Sequence, residues 1–369
     1  MNFSNKRGSF LSGWWRSVDK FIVFGILALI TLGIFLVMAA SPAVATRIGL
    51  SYFHFVQRQV VYIFIGFLVM FYISLINPIA VRRLAILGFI AFFMLLIGVE
   101  LFGYETKGAK RWIHLFGFSI QPSELLKPFF AILTAWLISR RHTDKNFPGF
   151  TISSILFGII CVLLIRQPNF GMTLTVGVIW FTQMIIGGLN IFIIFGLGVA
   201  ALAGIFAAYN FLPHVQNRIN TFLNTSDSGD NYQTEKSLQA FHNGGIFGRG
   251  PGEGSVKETI PDAHTDFIFA VAAEEYGLIL CLIIIAVYAF VVFRCLYRAY
   301  NEKDLFTMLA ITGLSTQLFF QAIVNMGVAS NMLPNTGMTL PLVSYGGSSM
   351  LSISLVIGMI LCFTKKRFG

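Results

Sequence analysis

The chain has 369 residues, 56% hydrophobic and 11% charged, and a mean hydropathy of +0.76, whereas a soluble domain carries charge on about a quarter of its residues. That composition excludes a soluble enzyme or binding module and predicts an integral membrane protein. The formal net charge of +10 does not signal nucleic acid, because Lys and Arg gather at the ends of apolar runs rather than in one stripe.

Crossing a hydrocarbon core of ~30 Å takes about 20 helical residues. Runs of that kind lie at 21–40, 59–76, 84–103, 120–139, 149–165, 171–188, 190–212, 267–293, 304–324 and 347–364. The expected fold is therefore an all-α polytopic membrane protein of about ten helices, a single membrane domain over residues 1–369. The first run, followed by "AVA" at 43–45, imitates a secretory signal, but it is long for one and is expected to remain as a helix. Lys6, Arg7, Arg16 and Lys20 precede that helix. Arg82 and Arg83, then Arg140, Arg141 and Lys145, then Arg294, Arg298 and Lys303, and finally Lys365, Lys366 and Arg367 occupy alternate short connections. The positive-inside rule places these, the segment 1–20 and the end 365–369 in the cytoplasm.

The remaining connections then emerge on the outer face. In chain order they are "GAKRWIHLFGFSIQPSELLK", "RQPNFG", a long loop at 213–265 and "LPNTGMTLPLVSYGGSS". Lys107, Lys110 and Arg111 lie there against the topological bias. Arg suits a diphosphate geometrically, while Trp112 beside them suits an interfacial anchor; both readings stand. Glu124 and Lys127 share one helix face at i, i+3 and are either a structural ion pair or part of a site facing a cavity. The loop 213–265 is long enough to be either functional or disordered, and its glycines, aromatics and mixed charges favour a partly folded functional loop. Its "GGIFGRGPGEGSVKET" lacks the Gly-Lys-Ser/Thr ending of a phosphate-binding loop.

"PDAHTDFIFAVAAEEYG" at 261–277 puts acids at the mouth of the eighth run. Asp266, followed at once by apolar residues, is expected at the membrane surface as a general base; the alternative is that Thr265 or Asp266 caps the helix. His264 is either a proton shuttle or an ordinary hydrogen-bonding group. Glu274 and Glu275 are expected to be structural, with Gly277 inviting a break in the helix. "LPLVSYGGSS" is either a re-entrant bend or a turn opening the last helix. The four cysteines, Cys161, Cys281, Cys295 and Cys362, show neither disulfide nor metal-ligand spacing.

Seven stretches, in this order, resemble the SEDS family of bacterial cell-wall proteins, which includes RodA, FtsW and SpoVE. They are "GAKRWI", "QPSELLK", "RQPNFG", "YQTEKSLQAF", "GGIFGRGPGEG", "PDAHTDFIFAVAAEEYG" and "TGMTLPLVSYGGSS". The last two look more like the division member than the elongation member. The resemblance implies a ten-helix peptidoglycan glycosyltransferase of the bacterial inner membrane. It would polymerise lipid II at the outer face, at the division septum, with a class B penicillin-binding transpeptidase and other division membrane proteins as partners. It implies a catalytic role for Asp266 and a substrate cavity beside Glu124 and Lys127. Two positions depart from the family pattern: Asn169 stands where an Asp is common, and Lys236 where a Gln is common.

The residues fit that chemistry on their own terms. Joining two lipid-linked disaccharides needs one base, and a diphosphate leaving group needs positive charge near its oxygens. Asp266 with Lys127, Lys110, Arg111 and Lys257 supplies both, and a single displacement inverts the anomeric carbon. No organic cofactor is expected, and a divalent cation is compatible. Two rivals share the family resemblance: a lipid II flippase, whose site is expected near the bilayer midplane, and a noncatalytic division scaffold.

Overall fold

A computed structural model describes residues 10–106, 109–115, 118–223 and 232–365. Each of the ten apolar runs is a helix, because a backbone in lipid must satisfy its polar groups internally. After a short helix α1 (Phe10–Ser17) come α2 (Lys20–Arg47), α3 (His54–Leu75), α4 (Pro78–Phe102), α5 (Pro122–Thr143), α6 (Gly149–Arg166), α7 (Phe170–Ile186) and α8 (Ile191–Phe211). The long connection is partly folded, holding α9 (Pro213–Leu223) and α10 (Tyr232–Gly244). The chain closes with α11 (Ile268–Tyr300), α12 (Leu305–Ala329) and α13 (Gly347–Phe363). Seven of the described helices are long and apolar enough to cross a membrane, and α7 and α13 are shorter apolar helices. The ends carry local signals: Asn77 and Asp304 cap α4 and α12 with their side chains, and Pro78 and Pro122 sit in first turns.

The all-α architecture carries one addition, a small antiparallel sheet before α5. Its strands β1 (Tyr104–Thr106), β2 (Ala109–Leu115) and β3 (Phe118–Ile120) lie in the order β1-β2-β3. Ile113 pairs with Ile120 and Leu115 with Phe118. The outer strands have three residues each and "AKRWIHL" of β2 does not alternate apolar with polar, so the alternation that marks a strand is missing; Lys107 lies outside the described residues.

The buried centre is α5, sixteen of whose residues are buried, packed by α4, α6, α7, α12 and α13. By contrast α8 has no buried residue and packs chiefly on α9. Between α12 and α13, residues 330–346 run without a regular helix, yet Leu340, Leu342, Val343 and Ser344 are buried. This is the re-entrant reading of "LPLVSYGGSS", and Gly347, Ser348 and Ser349 also open α13. The segment presses on the middle of α2: a side-chain carbon on Gly33 would meet the Leu342 carbonyl at 2.7 Å and the Val343 Cα at 2.8 Å.

Gly33 is therefore a position where the two backbones need a missing side chain. We expect Gly33→Val to destabilise the protein by about 1–3 kcal/mol, the usual cost of overpacking, seen as a lower melting temperature in detergent. Gly98, where an added carbon meets nothing within 4 Å, is the control: Gly98→Ala should leave the melting temperature within a degree or two.

Candidate active site

Asp266 sits in the loop that leads into α11, half-buried. The residue capping α11 is Phe267, which makes no side-chain cap, and Thr265 turns back to the Asp262 carbonyl at 3.2 Å. The capping alternative for these two residues thus gives way to a loop held from below. Asn325 of α12 donates from Nδ2 to the Asp266 carbonyl at 2.8 Å and to the Met338 carbonyl at 2.6 Å. Ser344 Oγ donates to the Thr265 carbonyl at 2.6 Å and accepts from the Leu340 amide at 2.9 Å. The Tyr345 amide donates to the His264 carbonyl at 2.9 Å. The re-entrant segment is thereby the floor on which His264, Thr265 and Asp266 rest, and Asp266 Oδ2 lies 3.8 Å from where a side-chain carbon on Gly337 would stand.

His264 is buried between Phe55 and Tyr345, with ring centroids 4.2 Å and 5.3 Å away. Burial pushes its pKa down to about 4; nearby Asp262 opposes the shift and Arg47 adds to it. The imidazole is neutral at neutral pH and packs as a wedge rather than as a cation. Asp262 is held apart from Asp266 by Gln233 of α10, whose amide donates to Asp262 Oδ2 at 3.3 Å and whose oxygen accepts from Asn335 at 3.3 Å.

Glu274 and Glu275 are structural, as their place in the helix suggested. Glu274 accepts three backbone N–H groups, from Ser255 at 2.9 Å, Val256 at 2.8 Å and Lys257 at 3.0 Å. Gly277, with φ 73 and ψ −170, breaks α11 beside them, so that the loop backbone at Ile246 and Gly248 comes within 2.3–2.4 Å of where its side-chain carbon would be. Lys257 is corrected here. It is buried in a short ion pair with Glu275 and donates to the Gly252 carbonyl at 3.0 Å, so it does not face Asp266 as an open diphosphate contact. A lysine 18 residues before its partner in sequence gives no local sign of that pairing.

Glu124 and Lys127 form the ion pair expected of them, at 2.8 Å, and both are buried. Lys127 also points Nζ at Met172 Sδ, 3.2 Å away. Lys127 is fully buried, whereas Asp266 is half-buried. The route between them passes from Gly337 to Met338, whose sulfur lies 2.9 Å from the side-chain position of Gly171, and then to Met172. Arg111, half-buried, donates to the Gln167 carbonyl at 2.9 Å and, more closely, to that of Pro168. It thereby fastens the sheet to the turn before α7, close to Gly171, where an added side-chain carbon would meet Thr336 and Met338. Lys110 beside it is exposed. Asn169, in the same turn, is buried; Lys236 on α10 bonds Gln239 at 2.9 Å.

Two cations at this end escaped the sequence reading. Arg47, at the end of α2, donates to the Pro261 carbonyl at 2.7 Å, and Arg58 of α3 lies beside Tyr345. Both flank the connection between α2 and α3, where the sequence shows basic residues against the alternation of charged loops. Among the described residues no three His, Cys, Asp or Glu gather to hold a metal ion.

Comparison with known proteins came down to one family. The model described as "Cell cycle protein", for FtsW, RodA and SpoVE, matches residues 20–367. A probable peptidoglycan glycosyltransferase FtsW of Caulobacter vibrioides is 40% identical over 357 residues, covering 96% of this chain and 91% of that protein. A protein of the same description from Geobacter sulfurreducens is 33% identical, covering 95% and 96%. A chain from a peptidoglycan synthase complex that coordinates polymerization and crosslinking superposes with a TM-score of 0.79 at 27% identity, covering 95% of this chain and 98% of that one. The rod shape determining protein RodA of Thermus thermophilus superposes with a TM-score of 0.70 at 26% identity, covering 95% and 97%.

A histidine buried neutral makes the loop sensitive to acid. Its folded pKa of about 4 lies below the ordinary 6.5, so the unfolded chain takes up the proton first and stability falls as pH drops from about 6.5 towards 4. The loss is about 2 kcal/mol by pH 5. Melting temperatures from pH 7.5 to 5 should fall more for the wild type than for His264→Phe, which keeps a ring between Phe55 and Tyr345 and cannot titrate.

Proposed function

Because this multi-pass membrane chain belongs to the FtsW/RodA/SpoVE family of cell cycle proteins, we propose that it is a peptidoglycan glycosyltransferase in which Asp266 is the general base. The observation that carries the role of Asp266 is its support. It is half-buried at the end of a membrane helix, with its backbone fixed by Asn325 and its neighbours by Ser344 and Tyr345. A base held in this way does not have to be ordered at the moment of reaction.

The substrate is lipid II, two molecules of which meet at the outer face of the bacterial inner membrane during division. The Asp266 carboxylate takes the proton from the acceptor sugar hydroxyl. The hydroxyl oxygen forms its bond to the anomeric carbon of the donor as the bond from that carbon to the lipid diphosphate breaks, and the configuration there inverts. The proton leaves on Asp266 and the charge leaves on the diphosphate. Lys110, Arg111, Arg47 and Arg58 supply positive charge at this end of the bundle. Glu124 pairs with Lys127 within α5, and Lys127 reaches Met172 of α7. A divalent ion carried in on the diphosphate is compatible with this step. Both termini lie in the cytoplasm on this reading, and the crosslinking partner is a class B penicillin-binding transpeptidase. The solved complex, in which polymerization and crosslinking are coordinated, supports that pairing.

The purified protein, mixed with lipid II and its transpeptidase, should make glycan strands. Asp266→Asn should lower the rate by about 10²–10⁴, the usual contribution of a general base, while melting at the wild-type temperature. Strands at normal yield from that variant would remove Asp266 as the base. Normal division by cells carrying Asp266→Ala at wild-type abundance would favour a scaffold.

A further inference from the structure

At the end of the bundle opposite Asp266 lies a cavity of about 740 Å³ between the start of α4, the end of α5 and the start of α12. Arg82, Trp136, Arg140, Asp304 and Phe306 are among the residues lining it. Both guanidiniums lie over the one indole, Arg82 at 5.9 Å and Arg140 at 5.8 Å from the Trp136 centroid. Among the described residues neither has a carboxylate within ion-pair distance. Asp304 is spent on its own helix, accepting from the Thr307 amide at 3.1 Å and the Thr307 hydroxyl at 2.6 Å.

The other arginine pair of the bundle gives the contrast. Arg294 and Arg298, near the end of α11, share the buried carboxylate of Asp19 at 2.9 Å and 2.6 Å. Arg82 and Arg140 have no such group between them, and two like charges against one ring repel unless an anion joins them. The starts of α4 and α12, both of which face the cavity, add the positive ends of two helix dipoles.

We propose that this cavity binds the phosphate headgroup of an anionic phospholipid, with Arg82 and Arg140 on its oxygens. A lipid fits better than free phosphate because Arg82 lies in the second turn of α4 and Arg140 in the last turn of α5, where the apolar runs of these helices end. Trp136 is the kind of side chain that favours headgroup depth. Ile79, which also lines the cavity, is 55% exposed, which puts the mouth at the lipid-facing surface.

The test is native mass spectrometry of the full chain, stripped of lipid in detergent and titrated with phosphatidylglycerol, phosphatidylcholine or inorganic phosphate. The wild type should retain one phosphatidylglycerol about tenfold or more tightly than the Arg82→Gln/Arg140→Gln variant. Ser139→Glu, which sets a carboxylate in the same cavity and removes no arginine, should weaken retention similarly; it keeps the test available if the double variant does not fold. Equal retention of phosphatidylglycerol by folded wild type and Ser139→Glu would overturn the proposal, as would equal retention of phosphatidylcholine by the wild type. Displacement of the bound lipid by millimolar inorganic phosphate would show that the cavity takes free phosphate, and would overturn the lipid assignment.

Discussion

Non-helical backbone at membrane depth has to find its hydrogen-bond partners inside the protein, and residues 330–346 find several of theirs in side chains sent from three helices and from within the segment. Asn325 of α12 holds the Met338 carbonyl, and Tyr288 of α11 makes a short bond to that of Pro341. Gln59 of α3 donates to the Ser344 carbonyl at 3.3 Å, and Ser344 turns its hydroxyl to the Leu340 amide. Gly33 of α2 gives the room. The same side chains that satisfy this segment also reach upward, Asn325 to Asp266 and Ser344 to Thr265. Satisfying a buried turn and positioning the candidate base are thus one set of bonds.

Charge is handled in two ways. Removing an ion from water costs several kcal/mol, which a partner offsets only with good geometry. The deepest ions are accordingly paired: Glu124 with Lys127, Lys257 with Glu275, and Asp19 with Arg294 and Arg298. The three backbone bonds to Glu274 do for a carboxylate what a cation does elsewhere. The ions of the proposed sites lie nearer the ends of the helices, Asp266 and the cations around it at one end and Arg82 with Arg140 at the other.

Much of this was readable from residue type and spacing. Apolar runs marked the helices, since length and hydropathy alone decide what can cross a bilayer. Gly277 marked the break in α11, since its φ of 73 suits glycine. The position of Asp266 between a polar loop and an apolar run marked it as a candidate. What was not readable depends on contacts between distant parts of the chain. The partner of Lys257 lies across a glycine-rich loop, and the two methionines between Asp266 and Lys127 come from α7 and the re-entrant segment. Asn325 looked like one polar residue among several on α12, because nothing local tells that its amide bridges two carbonyls. The strands of the small sheet were hidden by the shortness of β1 and β3 and by the missing alternation in β2.

The central claim is that the backbone clamp through Asn325 places Asp266 for catalysis. The most direct measurement is the steady-state kinetics of lipid II polymerisation by Asn325→Ala, with lipid II binding measured separately. If the clamp positions the base, kcat falls by about tenfold or more while lipid II binds as before, since a small misplacement of a reacting group costs up to about 10². A folded Asn325→Ala protein that polymerises at the wild-type kcat would contradict it.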